Sequence, residues 1–184
     1  ARQVAARFGI MHYVYNFKEL FGEKVIRNFV ESYERGVTPN PCIDCNRYIK
    51  FDGLLERALS LGCDYVATGH YARVEYDEEG GRWLLKKAVC ADGENDKDQS
   101  YVLYNLTQEQ LSHILFPLGS LTKPEVRSLA AKNGLLNAEK PDSQDICFVP
   151  NGKYAEFIEG YTGKKSAPGN VTDTDGKIVG RHNG

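Results

Sequence analysis

Apolar residues recur at helical spacing in three segments of the first third of the chain, and a glycine follows each segment. The segments cover residues 1–8, 18–35 and 46–61. The glycines that follow them are Gly9, Gly36 and Gly62. Glycine readily adopts the left-handed backbone that ends a helix, so the pattern predicts three helices with these boundaries. Asn46 begins the third segment, where its side chain can cap the helix.

Two short segments between these helices have the composition of β-strands. Residues 11–17 alternate and are rich in tyrosine and valine, and residues 64–68 are apolar. Residues 37–45 contain Pro39 and Pro41, which predicts an irregular loop. Helices and strands in this order predict an α/β domain with parallel strands and covering helices.

The pattern changes after residue 70, where paired strands are predicted. Residues 72–76 and 82–89 flank an acidic, glycine-rich turn and predict a hairpin. Further helices are predicted over residues 107–115, 122–133 and 151–161. A second hairpin turn is predicted at Asp175–Gly176. We also predict a domain boundary near Pro150, which gives two parts, residues 1–149 and residues 150–184.

Composition limits the class of protein. The chain has 184 residues, of which 41% are hydrophobic and 26% charged, as is typical of a globular domain. The net charge is −2, so any RNA must bind a local patch or a surface outside this segment. The sequence has no run of about 18 apolar residues and no signal peptide, so we expect no membrane span and a cytoplasmic location. We expect the five cysteines to be free thiols.

Cys42 and Cys45 form a CxxC pair in the proline-rich loop. We expect Cys45 to lie at a helix start, where unpaired backbone N–H groups and the nearby Arg47 and Lys50 favour a thiolate. A nucleophilic or redox role fits this setting. A structural zinc half-site and a turn with two buried cysteines are alternative interpretations. Zinc needs a second pair of ligands, and the sequence has no second CxxC.

The other three cysteines are scattered along the chain. We expect Cys63 to lie in the core, and Cys90 has no special neighbours. Cys147 belongs to the segment Asp142-Ser143-Gln144-Asp145-Ile146-Cys147-Phe148, a short apolar stretch after a polar loop. Taken alone, this segment favours a buried strand cysteine, because free cysteine is among the most buried residue types.

Two more segments are candidates for ligand binding. Gly69 and His70 follow the strand predicted at residues 64–68, and α/β domains bind ligands at such strand ends. Gly69 lets a ligand approach the backbone, and His70 can donate to a phosphate or a base, but a solvated strand end fits equally well. The segment Lys97-Asp98-Gln99-Ser100-Tyr101 can contact phosphates and base edges, or it can be an exposed strand edge.

The order of these motifs resembles the tRNA-specific 2-thiouridylase family. The motifs are TPNPxxxCN, ATGHYAR, KDQSY, FPLG and DSQDICF, and the match runs from about Phe29 to the end of the chain. Enzymes of this family have an ATP pyrophosphatase domain (adenine nucleotide alpha hydrolase-like and Rossmann-like), a small central domain and a C-terminal β-barrel. The resemblance implies an internal fragment, with a partial ATP pyrophosphatase domain followed by the start of the central domain.

The resemblance also implies a reaction. ATP adenylates the C2 oxygen of uridine 34 in certain tRNAs, and a persulfide on the cysteine matching Cys147 supplies sulfur to C2 as AMP leaves. The cysteine matching Cys45 is the partner thiol, which resolves the persulfide and forms a transient disulfide with Cys147. The implied partners are tRNA and a sulfur donor protein, either a cysteine desulfurase or a relay protein. ATP is a substrate, and no metal is expected beyond the Mg²⁺ that accompanies it.

The resemblance assigns further site residues motif by motif. A backbone contact to ATP corresponds to Gly69. Contacts to tRNA correspond to His70, Lys97, Asp98 and Gln99. The stretch that touches the target base corresponds to Asn40, Pro41 and Cys42.

The chain departs from the family pattern at two places. The SGGVDS phosphate-binding loop of the family is absent, so we expect this chain alone not to adenylate RNA. Some members have aspartate at the position of Cys42; any acid/base role there would fall to Asp44, to water, or would be dispensable. The CxxC and a third cysteine also allow an iron–sulfur cluster held by Cys42, Cys45 and Cys147.

Two other functions fit parts of the sequence. One is a different ATP pyrophosphatase enzyme that acts on a small molecule, although the KDQSY and DSQDICF segments argue against it. The other is a zinc-stabilised binding module without catalytic activity. A stoichiometric zinc that survives dialysis would favour that module.

Overall fold

The computed structural model describes residues 1–90, 93–94, 97–135, 137–139 and 145–184. Three residues of the DSQDICF motif lie outside this part of the chain: Asp142, Ser143 and Gln144. The side chain of Cys90 lies outside it as well, as does most of the polar loop before Cys147.

Helices occur in both halves of the chain. In the first half, the α-helices are Arg2–Arg7, Lys18–Phe21, Arg27–Glu34, Pro41–Asp44 and Leu54–Ser60, and π-helical segments cover Gly22–Ile26 and Cys45–Gly53. In the second half, the α-helices are Gln108–Ser112, Lys123–Lys132 and Tyr154–Thr162, with 3₁₀ turns at Ser100–Val102 and Pro150–Gly152. The backbone stays helical where α and π segments join. The segments therefore merge into a first long helix (residues 18–34) and a second long helix (residues 41–60).

Several predicted helix ends are confirmed. Left-handed backbone follows the first three helices, with φ of 64° at Gly9, 73° at Gly36 and 79° at Gly62. Thr122 and Glu125 form the predicted capping box at the start of Lys123–Lys132, where the threonine oxygen accepts from the Glu125 N–H and the carboxylate accepts from the Thr122 N–H. These signals are local, which explains why the sequence predicts them well.

The start of the second long helix differs from the prediction. The helix begins at Pro41, and the extended residue Asn40 caps it by accepting a hydrogen bond from the Cys42 N–H at 3.1 Å. Residues 37–45 are therefore not all loop, and the prediction that Asn46 caps this helix is wrong. An asparagine cap followed by proline at the first helical position is itself a strong start signal. Asn46 is buried inside the helix, where its amide nitrogen donates to the Val102 carbonyl.

Parallel pairing confirms the predicted α/β class. Val66–Ala67 pairs in parallel with Ile114–Leu115, with Val66 opposite Ile114. The helix predicted over residues 107–115 therefore ends at Ser112, because its last apolar residues form the second of these strands. Antiparallel hairpins join Ala72–Asp77 to Arg82–Lys87 and Gly169–Thr172 to Ile178–His182, as predicted, and Val89–Cys90 pairs with Gly93–Glu94.

The strand predicted over residues 11–17 is wrong. This segment is irregular, and the side chains of Met11 and Val14 are 79% and 76% exposed. A strand needs a partner for its backbone hydrogen bonds, and no described segment pairs with residues 11–17. The tyrosines of the segment contact each other instead, with the Tyr13 and Tyr15 ring centroids 6.4 Å apart.

Two buried clusters position the elements around the cysteines. The first joins the second long helix to the strands and contains Phe51, Ala72, Val102, Leu103, Ile114 and Phe116. The second centres on Phe29, Val30 and Val149, and the partly buried Phe148, Tyr154 and Phe157 pack against it. The helix Tyr154–Thr162 thus packs against the first long helix, and the domain boundary near Pro150 stays a prediction.

No helix among the described residues has both the length and the apolar character needed to cross a membrane.

Candidate functional site

Cys42 and Cys45 lie near the start of the second long helix, three residues apart and hence on one face of it. This helix approaches the first long helix closely at Gly53, where a Cβ atom would lie 3.2 Å from side-chain atoms of both Leu20 and Phe17. Gly53 therefore lets the second long helix pack directly on the first long helix. The first long helix also supports the segment that carries Cys147.

Cys147 lies in a turn over residues 145–149 and its side chain is exposed. The interpretation as a buried strand cysteine is therefore wrong. Its neighbour Phe148 anchors the turn, with its ring centroid 5.6 Å from Phe21 and 5.1 Å from Phe29 on the first long helix. Val149 is fully buried beside them. The apolar residues of the segment face the core, and the thiol between them faces outward.

The sulfurs of Cys42 and Cys147 lie close enough to Cys45 to raise the pKa of its thiol. Desolvation raises the pKa of Cys45, the ammonium of Lys50 lowers it, and the sulfurs of Cys147 and Cys42 raise it again. Desolvation and then the Cys147 sulfur raise the pKa of Cys42, which Lys50 also lowers. None of the three forms a disulfide in this structure.

The sequence predicts a thiolate at Cys45, but the environment of Cys45 in the structure favours the neutral thiol. The helix begins at Pro41, and its unpaired N–H groups belong to its first turn. Cys45 lies after that turn. Its half-buried sulfur is consequently held as a neutral thiol, and positive charge is needed to offset the desolvation. That charge comes from Lys50, whereas the Arg47 guanidinium lies over the Tyr48 ring, 5.0 Å from its centroid.

Asp44 lies on a different side of the helix from Cys42. Desolvation raises the pKa of its carboxyl group, while a hydrogen bond from Asn28 and the charge of Arg47 lower it. Asn28 belongs to the first long helix, so Asp44 faces that helix. Residues two apart do not share a helix face, so Asp44 and Cys42 face different neighbours, and the role of Asp44 in place of an acid/base group at position 42 stays a prediction.

His70 is buried, so the interpretation as a solvated strand end is wrong. Its side chain is 8% exposed, and its ring contacts both Phe51 and Phe116, with centroids 5.9 and 5.8 Å away. Nδ1 lies 2.7 Å from the Thr68 hydroxyl oxygen, and Nε2 lies 3.3 Å from the Lys50 ammonium nitrogen. Desolvation and the nearby Lys50 charge lower the pKa of His70 to about 4. The imidazole is therefore neutral at physiological pH.

The segment after Lys97 is held against the chain that follows His70. The Asp98 carboxylate accepts from the Ala88 N–H at 2.8 Å and from the Ser100 hydroxyl at 2.7 Å. The Gln99 side-chain oxygen accepts from the Tyr71 N–H at 3.1 Å, and the Gln99 N–H donates to the Tyr71 carbonyl at 2.8 Å. These polar groups fix the segment in place, while the Lys97 side chain is exposed.

Gly69 lies at the end of the parallel strand, in an exposed position next to His70. Among the described residues, a Cβ atom there would meet only the side chain of Leu118, at an ordinary contact distance of 3.6 Å. Internal packing therefore does not require glycine at this position.

The described residues contain no cluster suited to a metal ion, and Cys63 is exposed. Within residues 1–90, 93–94, 97–135, 137–139 and 145–184, no group of three or more His, Cys, Asp or Glu side chains is arranged to hold a metal ion. Cys63 is exposed, so its predicted place in the core is wrong, because it follows the turn at Gly62 and precedes the strand.

Two contacts of the site have no signal in the sequence. The sequence indicates Lys50 only as a positive charge near Cys45, and Thr68 only as a strand residue. Their contacts with His70 join a helix to a strand end, so they depend on the tertiary fold rather than on local pattern.

Comparison with known proteins gives consistent matches. The family described as the tRNA methyl transferase HUP domain matches residues 1–151. The chain is 55% identical to the tRNA-specific 2-thiouridylase MnmA of Carboxydothermus hydrogenoformans, over 100% of this chain and 49% of that protein. It is 57% identical to the protein of the same name from Lachnoclostridium phytofermentans, over 100% of this chain and 50% of that protein. For Clostridioides difficile the identity is 52%, with 100% of this chain and 50% of that protein covered. The chain thus spans about half the length of these curated relatives.

Proposed function

Since the chain belongs to the tRNA methyl transferase HUP domain family, we propose that it is part of an ATP-dependent tRNA-uridine 2-sulfurtransferase. The family description mentions methyl transfer, whereas the relatives that match the whole chain at 52–58% identity are named tRNA-specific 2-thiouridylases. The relatives' names carry more weight here, because these matches cover 100% of the chain and so include the segments of the candidate site.

The proposed reaction replaces an oxygen by sulfur on the wobble uridine 34 of tRNA. ATP adenylates the C2 oxygen, with release of pyrophosphate. The terminal sulfur of a persulfide on Cys147 then attacks C2, and AMP leaves. The Cys45 thiolate attacks the inner sulfur of Cys147, which breaks the S–S bond and leaves the terminal sulfur on C2. The products are 2-thiouridine and a Cys45–Cys147 disulfide, which a cellular dithiol must reduce before the next cycle.

The observation that carries this proposal is the proximity of Cys147 to Cys45. The two residues are far apart in sequence, yet the Cys147 sulfur raises the pKa of the Cys45 thiol. Cys147 is exposed on an anchored turn, where a sulfur donor can reach it, and Cys45 is half-buried beside it. A two-thiol reaction needs one accessible carrier and one nearby resolving group, and this arrangement supplies both.

The remaining assignments extend the proposal to the substrates. Gly69 is proposed to contact ATP through its backbone, since internal packing leaves room for a closer approach there. The target base is proposed to contact Asn40, Pro41 and Cys42. Contacts to tRNA are proposed for His70, Lys97, Asp98 and Gln99. For His70, a direct contact would require one ring nitrogen to exchange its present partner.

The proposal includes partners that this chain does not contain. A sulfur donor protein must load Cys147, and ATP with Mg²⁺ must bind the complete enzyme. Because its substrate is tRNA, we also propose a cytoplasmic location. An iron–sulfur cluster on Cys42, Cys45 and Cys147 is the competing use of the same thiols, and it would leave Cys147 unable to carry a persulfide in the same way.

The test uses the full-length protein with ATP, Mg²⁺, a cysteine desulfurase with its substrate cysteine, and unmodified tRNA. Mass spectrometry of the digested tRNA measures 2-thiouridine. We expect product with the parent protein and with Cys63→Ser, which removes an exposed thiol away from the site. We expect none with Cys147→Ser or Cys45→Ser. Product from Cys147→Ser would refute the sulfur-carrier role.

The metal content of the same preparations distinguishes the sulfurtransferase from an iron–sulfur protein and from a zinc-stabilised binding module. Stoichiometric iron that is lost together with activity in Cys42→Ser would favour the cluster. Stoichiometric zinc without any 2-thiouridine would favour a binding module.

A further inference from the structure

The contacts of His70 determine which of its nitrogens carries the proton. A lysine ammonium only donates, so the 3.3 Å contact makes Nε2 of His70 the acceptor for Lys50. In a neutral imidazole the other nitrogen is then the donor, and Nδ1–H donates to the Thr68 oxygen 2.7 Å away. Lys50, His70 and Thr68 thus form a directed chain of hydrogen bonds that begins at the ammonium group and ends on the Thr68 oxygen.

The π-helical segment brings Lys50 to the side of the cysteines. In an α-helix, two residues five positions apart point about 140° away from each other. Cys45–Gly53 is π-helical, as shown by the Leu54 N–H, which donates to the carbonyl of Ile49 five residues earlier. In this geometry Cys45 and Lys50 lie near the same face of the helix. The unusual helix therefore places Lys50 on the same side of the helix as the Cys45 thiol.

We propose that His70 is a positioning residue, which holds the ammonium group of Lys50 at the cysteine site so that its charge stabilises the thiolate of Cys45. This inference rests on the proposed function, in which Cys45 must attack the Cys147 sulfur as a thiolate. The group that positions the charge is buried and neutral, so it holds Lys50 without adding a charge of its own.

The charged groups around the thiol support this role for Lys50. The Lys50 ammonium lowers the pKa of both Cys42 and Cys45 against the effect of desolvation, and Cys147 acts in the opposite sense. Two other cations of the long helices, Lys24 and Arg47, lie over the ring of Tyr48. Asp44 faces Asn28. Among the residues that the structure describes, no carboxylate lies within salt-bridge distance of Lys50, so its charge is available to the thiols.

The test measures thiol ionisation in the full-length protein without tRNA, ATP or sulfur donor. The protein is alkylated with iodoacetamide at pH 6 to 10, and peptide mass spectrometry reads each cysteine separately, since cleavage before Asp44 puts Cys42 and Cys45 on different peptides. For Lys50→Gln we expect the midpoint of Cys45 alkylation to rise by about one pH unit, with about a tenfold slower reaction near pH 8. Lys50→Arg keeps the charge and should restore most of the rate.

His70 and its support are tested through the same readout. His70→Gln and the milder Thr68→Val should each raise the Cys45 midpoint by part of the Lys50→Gln shift, because the ammonium group loses its fixed position. Arg47→Gln removes an equal charge from the same helix and should leave the midpoint unchanged. Cys63 serves as an internal control in every sample, and Thr68→Val covers the case in which His70→Gln does not fold.

The outcomes separate this inference from the proposed function. An unchanged Cys45 midpoint in Lys50→Gln overturns the inference. An unchanged midpoint together with a raised KM for tRNA does so as well and makes Lys50 an RNA contact. Thiol ionisation does not depend on turnover, so a failure to form 2-thiouridine refutes the proposed function and leaves this result standing.

Discussion

The Lys50 ammonium nitrogen lies 3.3 Å from Nε2 of His70, and this contact requires the imidazole to be neutral. A second proton on the ring would bring two positive charges together in a buried site and would remove the acceptor for Lys50. The fold thus depends on a histidine that stays unprotonated, although the ring is of the residue type that most readily gains a proton near neutrality.

The first prediction concerns stability at mildly acidic pH. The pKa of His70 is lowered from 6.5 to about 4, so the unfolded chain binds this proton more readily than the folded chain. The stabilisation is therefore complete above pH 6.5, decreases as the pH falls, and is lost by about pH 4. Its size is about 3 kcal/mol over this window. Urea unfolding of the full-length protein at several pH values measures the slope.

The matched variants for this prediction are His70→Gln and His12→Gln. His12 is an exposed histidine in the irregular segment after the first helix. We expect His70→Gln to flatten the dependence of unfolding free energy on pH between 4 and 6.5, and His12→Gln to leave it as in the parent. Equal slopes in all three proteins would show that His70 is not held neutral.

A second prediction concerns the cap of the cysteine helix. Asn40→Ala removes the acceptor of the Cys42 N–H and should lower the free energy of unfolding by about 1 kcal/mol. Thr122→Ala removes a comparable cap from Lys123–Lys132 and should cost a similar amount. Only Asn40→Ala should change the iodoacetamide reactivity of Cys42, which peptide mass spectrometry measures. Equal Cys42 reactivity in the two variants would show that the Asn40 cap does not affect the thiol site.

A third prediction concerns the anchor of the Cys147 turn. Phe148→Ala removes ring contacts with Phe21 and Phe29, and we expect a loss of about 2 kcal/mol, less than for a fully buried ring. Leu111→Ala, in the buried core near the strands, should cost at least as much. Only Phe148→Ala should slow the formation of a Cys45–Cys147 disulfide under mild oxidation by diamide. A slowing of the same size in Leu111→Ala would assign the effect to general destabilisation.

The sequence predicts those elements whose signals are local. Glycine stops at Gly9, Gly36 and Gly62 are confirmed, and so are the capping box at Thr122 and the hairpin turn at Asp175–Gly176. In each case the decisive contacts lie within a few residues of the signal, so the tertiary fold has little opportunity to override them.

Failures occur where distant contacts decide. Residues 11–17 have strand composition but no partner among the described segments, and β-propensity alone does not make a strand. Residues 114–115 look like the end of a helix, but pairing with Val66–Ala67 makes them a strand. The π-helical segments have no sequence signal that we can identify.

The candidate site divides in the same way. The roles of the two cysteines come from the resemblance to a family. The spacing of Cys45 and Cys147 in the sequence does not by itself predict that the two residues meet in the fold. The neutral state of His70 and its contact with Lys50 require burial against Phe51 and Phe116, which only the folded structure supplies.

The most direct test of the central claim is the disulfide left after a single turnover. Full-length protein carrying a persulfide on Cys147 is mixed with ATP and unmodified tRNA, quenched with N-ethylmaleimide, and analysed by peptide mapping alongside the 2-thiouridine produced. The account predicts a Cys45–Cys147 disulfide in an amount that matches the 2-thiouridine formed. Product without this disulfide, or a disulfide that joins Cys147 to Cys42, would contradict it.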